Sequence, residues 1–105
     1  MSMTELKDLK RDYRAAFLRY LLRREEAPLH VGYELGRSAV AGGLSILDIA
    51  QVHHEVLLEV LRDTSADDVS GVGTGASEFL VEVLSTYDMA HRGILGSGGA
   101  GTELR

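Results

Sequence analysis

Apolar residues recur at steps of three and four along most of the chain, the spacing of helices that bury one face. The first such segment runs from about Thr4, a plausible N-cap, to Arg24. The second follows Pro28, which suits a first helical turn, and extends to about Ala41. It is closed by Gly42-Gly43, whose permissive backbone is typical after a helix. These two segments predict two consecutive helices.

The third segment has the clearest amphipathic pattern. Ser45 followed by Asp48 predicts a capping box at its start. On a helix, one face carries Ile46, Ile49, Ala50, His53, Leu57 and Val60, and an adjoining stripe carries Leu47, His54, Leu58 and Leu61. The opposite, solvated face carries Asp48, Gln51, Glu55, Glu59 and Arg62.

Residues 63–75 are polar and rich in glycine, which predicts a connection, and a fourth helix is predicted from about Ala76 to Gly93. Residues 96–105 have the composition of a flexible Gly/Ser linker, which leaves residues 1–95 as one helical domain. Helices of these lengths with short connections predict an antiparallel four-helix bundle. Gly32 and Gly36, one turn apart, are expected to permit a close helix contact.

Composition narrows the class of protein. The 105 residues contain no cysteine, and no apolar run approaches the roughly 20 residues that span a bilayer, so a cytoplasmic domain is expected. Residues 1–25 hold seven Lys/Arg against four Asp/Glu, a balance of +3. The other 80 residues hold four against twelve, a balance of −8. This acidic body provides no footprint for nucleic acid.

Two leucines of the first helix fall outside its apolar stripe. Leu18 and Leu22 lie one turn apart and would be exposed among Arg14, Arg19 and Arg23. Single exposed leucines are ordinary, but this pair on a basic face suggests a contact surface for a second copy or for a partner protein. We expect a homodimer that uses part of the first helix.

The histidines are the chain's main candidates for chemistry. His53 and His54 are adjacent, so they point about 100° apart on a helix and do not readily share one metal ion. His53 and His91 are predicted to pack against the core, with Tyr33, Tyr87 or Glu34 as hydrogen-bond partners. The sequence shows neither a nucleophile elbow nor a P-loop lysine. The alternative is a small sensor that binds a ligand or metal through buried histidines.

The order of these motifs resembles a known family. YELGRSAVAGGLSILDIAQVHHEVL, followed by FLVEVLSTYDMAHRGIL, is similar to the N-terminal domain of RsbU-type serine phosphatases over roughly residues 13–95. The matching pieces are residues 33–37, the turn at residues 43–45, Asp48, the histidine pair and residues 88–93. The positions expected to carry this motif structurally are Tyr33, Gly36, Gly43, Ser45, Asp48, His53, His54 and His91.

The resemblance implies a non-catalytic docking module without a cofactor. In such phosphatases this domain dimerises and receives a switch-protein kinase of the RsbT type during a stress response. Nothing after Arg105 supplies a phosphatase, so the resemblance implies no enzyme activity for these 105 residues. The chain is then either an excised domain or a free-standing one.

Overall fold

The computed structural model describes residues 3–98, with side-chain surroundings for residues 4–93. Within this range the chain forms α1 (Met3–Arg23), α2 (Glu26–Ala41), α3 (Ile46–Arg62) and α4 (Val69–Gly98), with a short 3-10 turn at Ala66–Asp68. No strand occurs among the described residues. The predicted all-helical class with four helices is therefore confirmed.

The α1–α2 connection is short because Arg24 adopts a left-handed backbone conformation, with φ of 55°. Its N–H donates to the Tyr20 carbonyl at 2.7 Å and so continues the hydrogen bonding of α1 past the helix end. Pro28 lies in the first turn of α2, where a missing N–H leaves no helical bond unmade. Thr4 lies inside α1, so its predicted N-cap role is wrong.

The turn between α2 and α3 has the predicted capping geometry. The Ser45 hydroxyl accepts from the Asp48 N–H at 3.1 Å, and the Asp48 carboxylate accepts from the Ser45 N–H at 2.8 Å. Two N–H groups that the helix leaves without partners are thereby satisfied. Gly43 has φ of +77°, a conformation that other residues rarely adopt. The Gly43 and Ser45 predictions are both confirmed.

The fourth helix is longer than predicted at both ends. It begins at Val69, so most of the predicted 63–75 connection is helical despite Gly71, Gly73 and Gly75. It continues to Gly98, which extends the helix into the predicted tail. Residues 99–105, the rest of that predicted tail, lie outside the described residues.

Aromatic rings and aliphatic side chains from three helices form the centre of the core. The Phe79 ring meets the Tyr13 ring edge-on, with ring centroids 5.1 Å apart. The large side chains with almost no exposure are Tyr13, Phe17, Ile49, Val52, Val56, Phe79 and Val83. Burial of such side chains is the main stabilising contribution, at roughly 25 cal/mol per Å² of apolar surface.

Helix α2 contributes small residues to its contact with α4. A methyl group at Gly36 would collide with the Thr86 hydroxyl, the Val83 carbonyl and the Tyr87 nitrogen. A methyl group at Gly32 would lie 3.0 Å from the Phe79 ring. Both glycines therefore permit the close helix contact that their spacing predicts.

Candidate protein interaction surfaces

His53 faces α1 and forms a hydrogen bond across the bundle. Its Nδ1 lies 2.7 Å from the hydroxyl of the buried Tyr13, and its ring meets the Phe17 ring edge-on. Burial lowers the pKa of His53, and the neighbouring His54 lowers it further. Burial also raises the pKa of Tyr13, so its hydroxyl stays protonated. A neutral imidazole can accept this bond at Nδ1.

The expected packing role of His53 is thus supported, but the expected partner is wrong. Tyr33, Tyr87 and Glu34 were the candidates, whereas the bond goes to Tyr13 of α1. The Tyr87 hydroxyl instead donates to the Leu44 carbonyl at 2.9 Å. It thereby ties α4 to the residue that precedes the N-cap of α3.

The other histidines do not join His53. His54 is exposed, and His91 is also exposed, so the prediction that His91 packs in the core is wrong. The His91 ring lies beside the Tyr87 ring, one turn earlier on α4, with centroids 5.7 Å apart. Among residues 4–93, no three His, Asp or Glu side chains form a group that could hold a metal ion.

Two carboxylates of α3 connect it to α1. Glu59 accepts two hydrogen bonds from the Arg14 guanidinium, at 2.8 and 2.9 Å, and Glu55 lies 2.9 Å from the Lys10 ammonium. The bond from Arg14 lowers the pKa of Glu59; the bond from Gln51, followed by that from Lys10, lowers the pKa of Glu55. The expected fully solvated face of α3 therefore lies partly against α1.

This pairing separates Arg14 from the surface to which the sequence assigned it. Its guanidinium is directed to α3, so it does not belong with Arg19 and Arg23 as an available contact residue. The signal for this contact was present in the sequence. Lys10 and Arg14 lie one turn apart on α1, as do Glu55 and Glu59 on α3, so two rows of opposite charge can pair.

The expected exposure of the leucine pair is confirmed. Leu18 has 42% and Leu22 has 83% of its surface exposed. Leu22, Arg19 and Arg23 line an open cleft of about 370 Å³ between α1 and the start of α2, together with Val31. Neither arginine makes a hydrogen bond or an ion pair within residues 4–93. We call this region the α1–α2 surface.

A second apolar surface follows the outer side of α3. Leu47 is 76%, Ile46 49% and Leu58 41% exposed. Ile46 was predicted on the core face; it is exposed because α3 contacts the bundle through Ile49, Val52 and Val56. We call this region the α3 surface. It includes Leu57 and Leu61, which are less exposed than the others. Its members are Ile46, Leu47, Ala50, His54, Leu57, Leu58 and Leu61.

A third feature is an open groove of about 760 Å³ between α2 and α4. It is lined by the aromatic ring of Tyr33, by Arg37 and by mainly apolar residues that include Val40 and Met89. The Tyr33 ring stacks on His30, with centroids 5.5 Å apart. The motif residue Tyr33 therefore contributes to a surface and not to the buried core.

These features define a helical bundle whose candidate interaction residues lie on its outer surfaces. None of the described helices, within residues 3–98, combines the length and the apolarity needed to cross a membrane.

The family described as phosphoserine phosphatase RsbU, N-terminal domain, matches residues 11–90. The chain belongs to this family, which confirms the resemblance seen in the sequence. Neither the curated proteins nor the solved structures include a significant match.

The family places the chain in a general role. The matched family model is that of the N-terminal domain of the phosphatase. Its motif residues serve backbone and packing roles: Gly36 in the α2–α4 contact, Gly43, Ser45 and Asp48 in the turn before α3. The family indicates a regulatory signalling domain.

Proposed function

We propose that this chain is a non-catalytic cytoplasmic signalling domain that homodimerises and binds an RsbT-like switch-protein kinase in a bacterial stress-response pathway. The family match over residues 11–90 carries this proposal. In this function the domain transmits a signal through contacts, so its working parts are surfaces. The described histidines are not brought together, and no observation favours the sensor alternative.

The bundle that presents these surfaces is proposed to be antiparallel. The end of α2 lies beside the start of α1, since Gly42 is close to Glu5, and the start of α2 borders Leu22 and Arg23 near the end of α1. Near the end of α1, Arg24 donates to Glu78 and to the Gly71 carbonyl near the start of α4. Each of these contacts fits helices that alternate in direction.

We propose the α3 surface as the dimer contact, in place of the first-helix contact that the sequence led us to expect. Its stripe contains no Lys, Arg, Asp or Glu, so a two-fold contact that places it against its own copy opposes no like charges. Such a stripe of leucine and isoleucine is costly to leave in water, and dimers commonly bury apolar surfaces of this kind. The α1–α2 surface is less suitable, because a two-fold contact there would bring guanidinium groups together.

Sedimentation of two double variants tests this assignment. Leu47→Glu/Leu58→Glu introduces carboxylates into the α3 surface, and Leu18→Glu/Leu22→Glu makes the same change on α1. All four side chains are exposed, so both variants should keep the helical circular dichroism of the wild type. We expect a monomer from the α3 variant and a dimer from the α1 variant. A monomeric wild type at tens of micromolar concentration would refute homodimerisation.

Kinase binding requires a separate experiment. Calorimetric titration of the chain with a purified RsbT-like kinase from the same genome should show saturable binding, whereas an unrelated protein of similar charge should not bind. The dimer variants enter the same titration, which separates loss of the dimer from loss of kinase binding. If neither the wild type nor the monomeric variant binds the kinase, the partner in this proposal is wrong.

A further inference from the structure

We propose that the α1–α2 surface is a docking site for an acidic amphipathic helix of a second protein. This inference rests on the proposed docking function and names the surface and the chemistry of one contact. It concerns two rows of side chains on α1 that run side by side, Leu18 with Leu22 and Arg19 with Arg23. It differs from the proposed dimer contact, which lies on α3.

The apolar row borders a cleft that can accept a side chain. Leu22 and Val31, which is 39% exposed, stand on the two helices that form the cleft, and Pro28 lines it between them. Leu18 extends the row by one turn towards the start of α1. A leucine-like side chain placed in this cleft would cover apolar groups of both helices.

The cationic row has no ion-pair partner within residues 4–93, a property that it shares with the isolated Arg37 and Arg62. Arg11, Arg14 and Arg24 each pair with a carboxylate, at 3.0, 2.8 and 3.1 Å respectively. Arg19 and Arg23 have no such pair within residues 4–93, although the chain carries 16 Asp/Glu against 11 Lys/Arg.

The fold therefore holds two guanidinium groups next to an apolar cleft, with Glu25 as the carboxylate that lines the same cleft. Guanidinium groups bind carboxylates through paired hydrogen bonds, and the attraction strengthens when apolar contacts exclude water.

The spacing of the two rows indicates a helix as the occupant. Both rows repeat at four residues, so they follow the ridges by which helices pack against each other. A partner helix with leucine-like residues at i and i+4 can fill the cleft. Acidic residues in the adjoining row then lie opposite Arg19 and Arg23. Recognition of this kind, a helix in a groove, is read through i and i+4 anchors.

Two synthetic helical peptides of about four turns test the proposal. Both carry the same leucine row; one has glutamates in the adjoining row and the other has lysines. Each is titrated into the isotope-labelled full chain while amide NMR signals are recorded. We expect the glutamate peptide to shift signals of residues 18–31 and to bind about tenfold more tightly than the lysine peptide. The difference should shrink at high salt.

A charge-reversed variant supplies the decisive comparison. Arg19→Glu/Arg23→Glu should prefer the lysine peptide, whereas Lys7→Glu/Arg62→Glu, an equal charge change at exposed positions elsewhere, should keep the original preference. Equal binding of both peptides, signal shifts confined to α3 or to the α2–α4 groove, or an unchanged preference of the reversed variant would overturn the proposal.

Other occupants give distinct results. Binding of phosphatidylserine vesicles that depends on Arg19 and Arg23, without peptide discrimination, would assign the surface to an anionic membrane and overturn the proposal. A change in the oligomeric state of the Arg19→Glu/Arg23→Glu variant would assign it to a second copy. Failure of kinase binding with peptide discrimination intact would refute the proposed kinase partner and leave this surface standing.

Discussion

Gly36→Ala tests the close contact between α2 and α4. A β-carbon at this position would lie 2.8 Å from the Tyr87 nitrogen and nearer still to the Val83 carbonyl and the Thr86 hydroxyl. Carbon contacts in folded proteins are comfortable at about 3.5–4.0 Å. Thr86 could rotate, but the other two atoms belong to the backbone of α4. The helices would therefore have to separate by about 1 Å.

The cost follows from two opposing effects. Forcing one extra methyl group into a packed contact destabilises a fold by about 3 kcal/mol at the upper end of the usual range. The upper value applies here because the methyl group would collide with backbone atoms. Replacing glycine with alanine inside a helix stabilises it by about 1 kcal/mol. The net change is a loss of about 2 kcal/mol. For a domain of this size, that lowers the melting temperature by about 10 °C.

Thermal and urea unfolding followed by circular dichroism measure this change. Gly73→Ala is the matched control, because a methyl group there meets no atom within 4 Å. It should raise stability by up to about 1 kcal/mol, since only the helix preference changes. Gly32→Ala should fall between the two, because its neighbour is the side chain of Phe79. The packing argument fails if Gly36→Ala unfolds at or above the wild-type temperature while Gly73→Ala behaves as expected.

Two further substitutions test the turn and the buried histidine. Ser45→Ala removes the acceptor of the Asp48 N–H and should cost about 1 kcal/mol in urea unfolding, whereas the exposed Ser77→Ala should change little. His53 has a pKa lowered from 6.5, so the unfolded chain binds the proton more readily and stability should fall as the pH drops below about 6.5. His53→Gln should flatten that dependence between pH 7 and 5, and the exposed His54→Gln should retain most of it. Parallel stability curves for the wild type and both variants would contradict the assignment of the pH dependence to His53.

The first three helices were predictable because local signals and tertiary packing agree. Pro28, the Gly-Gly turn and the Ser45–Asp48 capping box each specify a boundary through backbone chemistry close in sequence. The start of α4 was not predictable in this way. Its three glycines favour a loop by intrinsic preference, yet a side chain at Gly75 would press on the ends of Leu21 and Arg24. Packing against α1 therefore overrides the local preference.

The interaction surfaces were only partly predictable, because periodicity gives the direction of a side chain but not the position of neighbouring helices. Leu18 and Leu22 lie on the side of α1 opposite its core-facing stripe, so their exposure was predictable from α1 alone. The hydrogen-bond partner of His53 was not predictable from one helix, because Tyr13 is 40 residues away in sequence. The exposure of Ile46 also depends on where α1 and α4 meet α3.

The pairing of Arg14 with Glu59 supports the proposed division between a dimer contact and a partner contact. Once Arg14 is directed to α3, the remaining arginines of the α1–α2 surface are Arg19 and Arg23, one turn apart. A two-fold contact requires a surface to complement itself, and two unpaired guanidinium groups do not. The α3 surface, whose stripe carries no Lys, Arg, Asp or Glu, meets that requirement. Differences in charge therefore favour a second copy on α3 and an acidic partner on α1, so a dimer can form without covering the partner site.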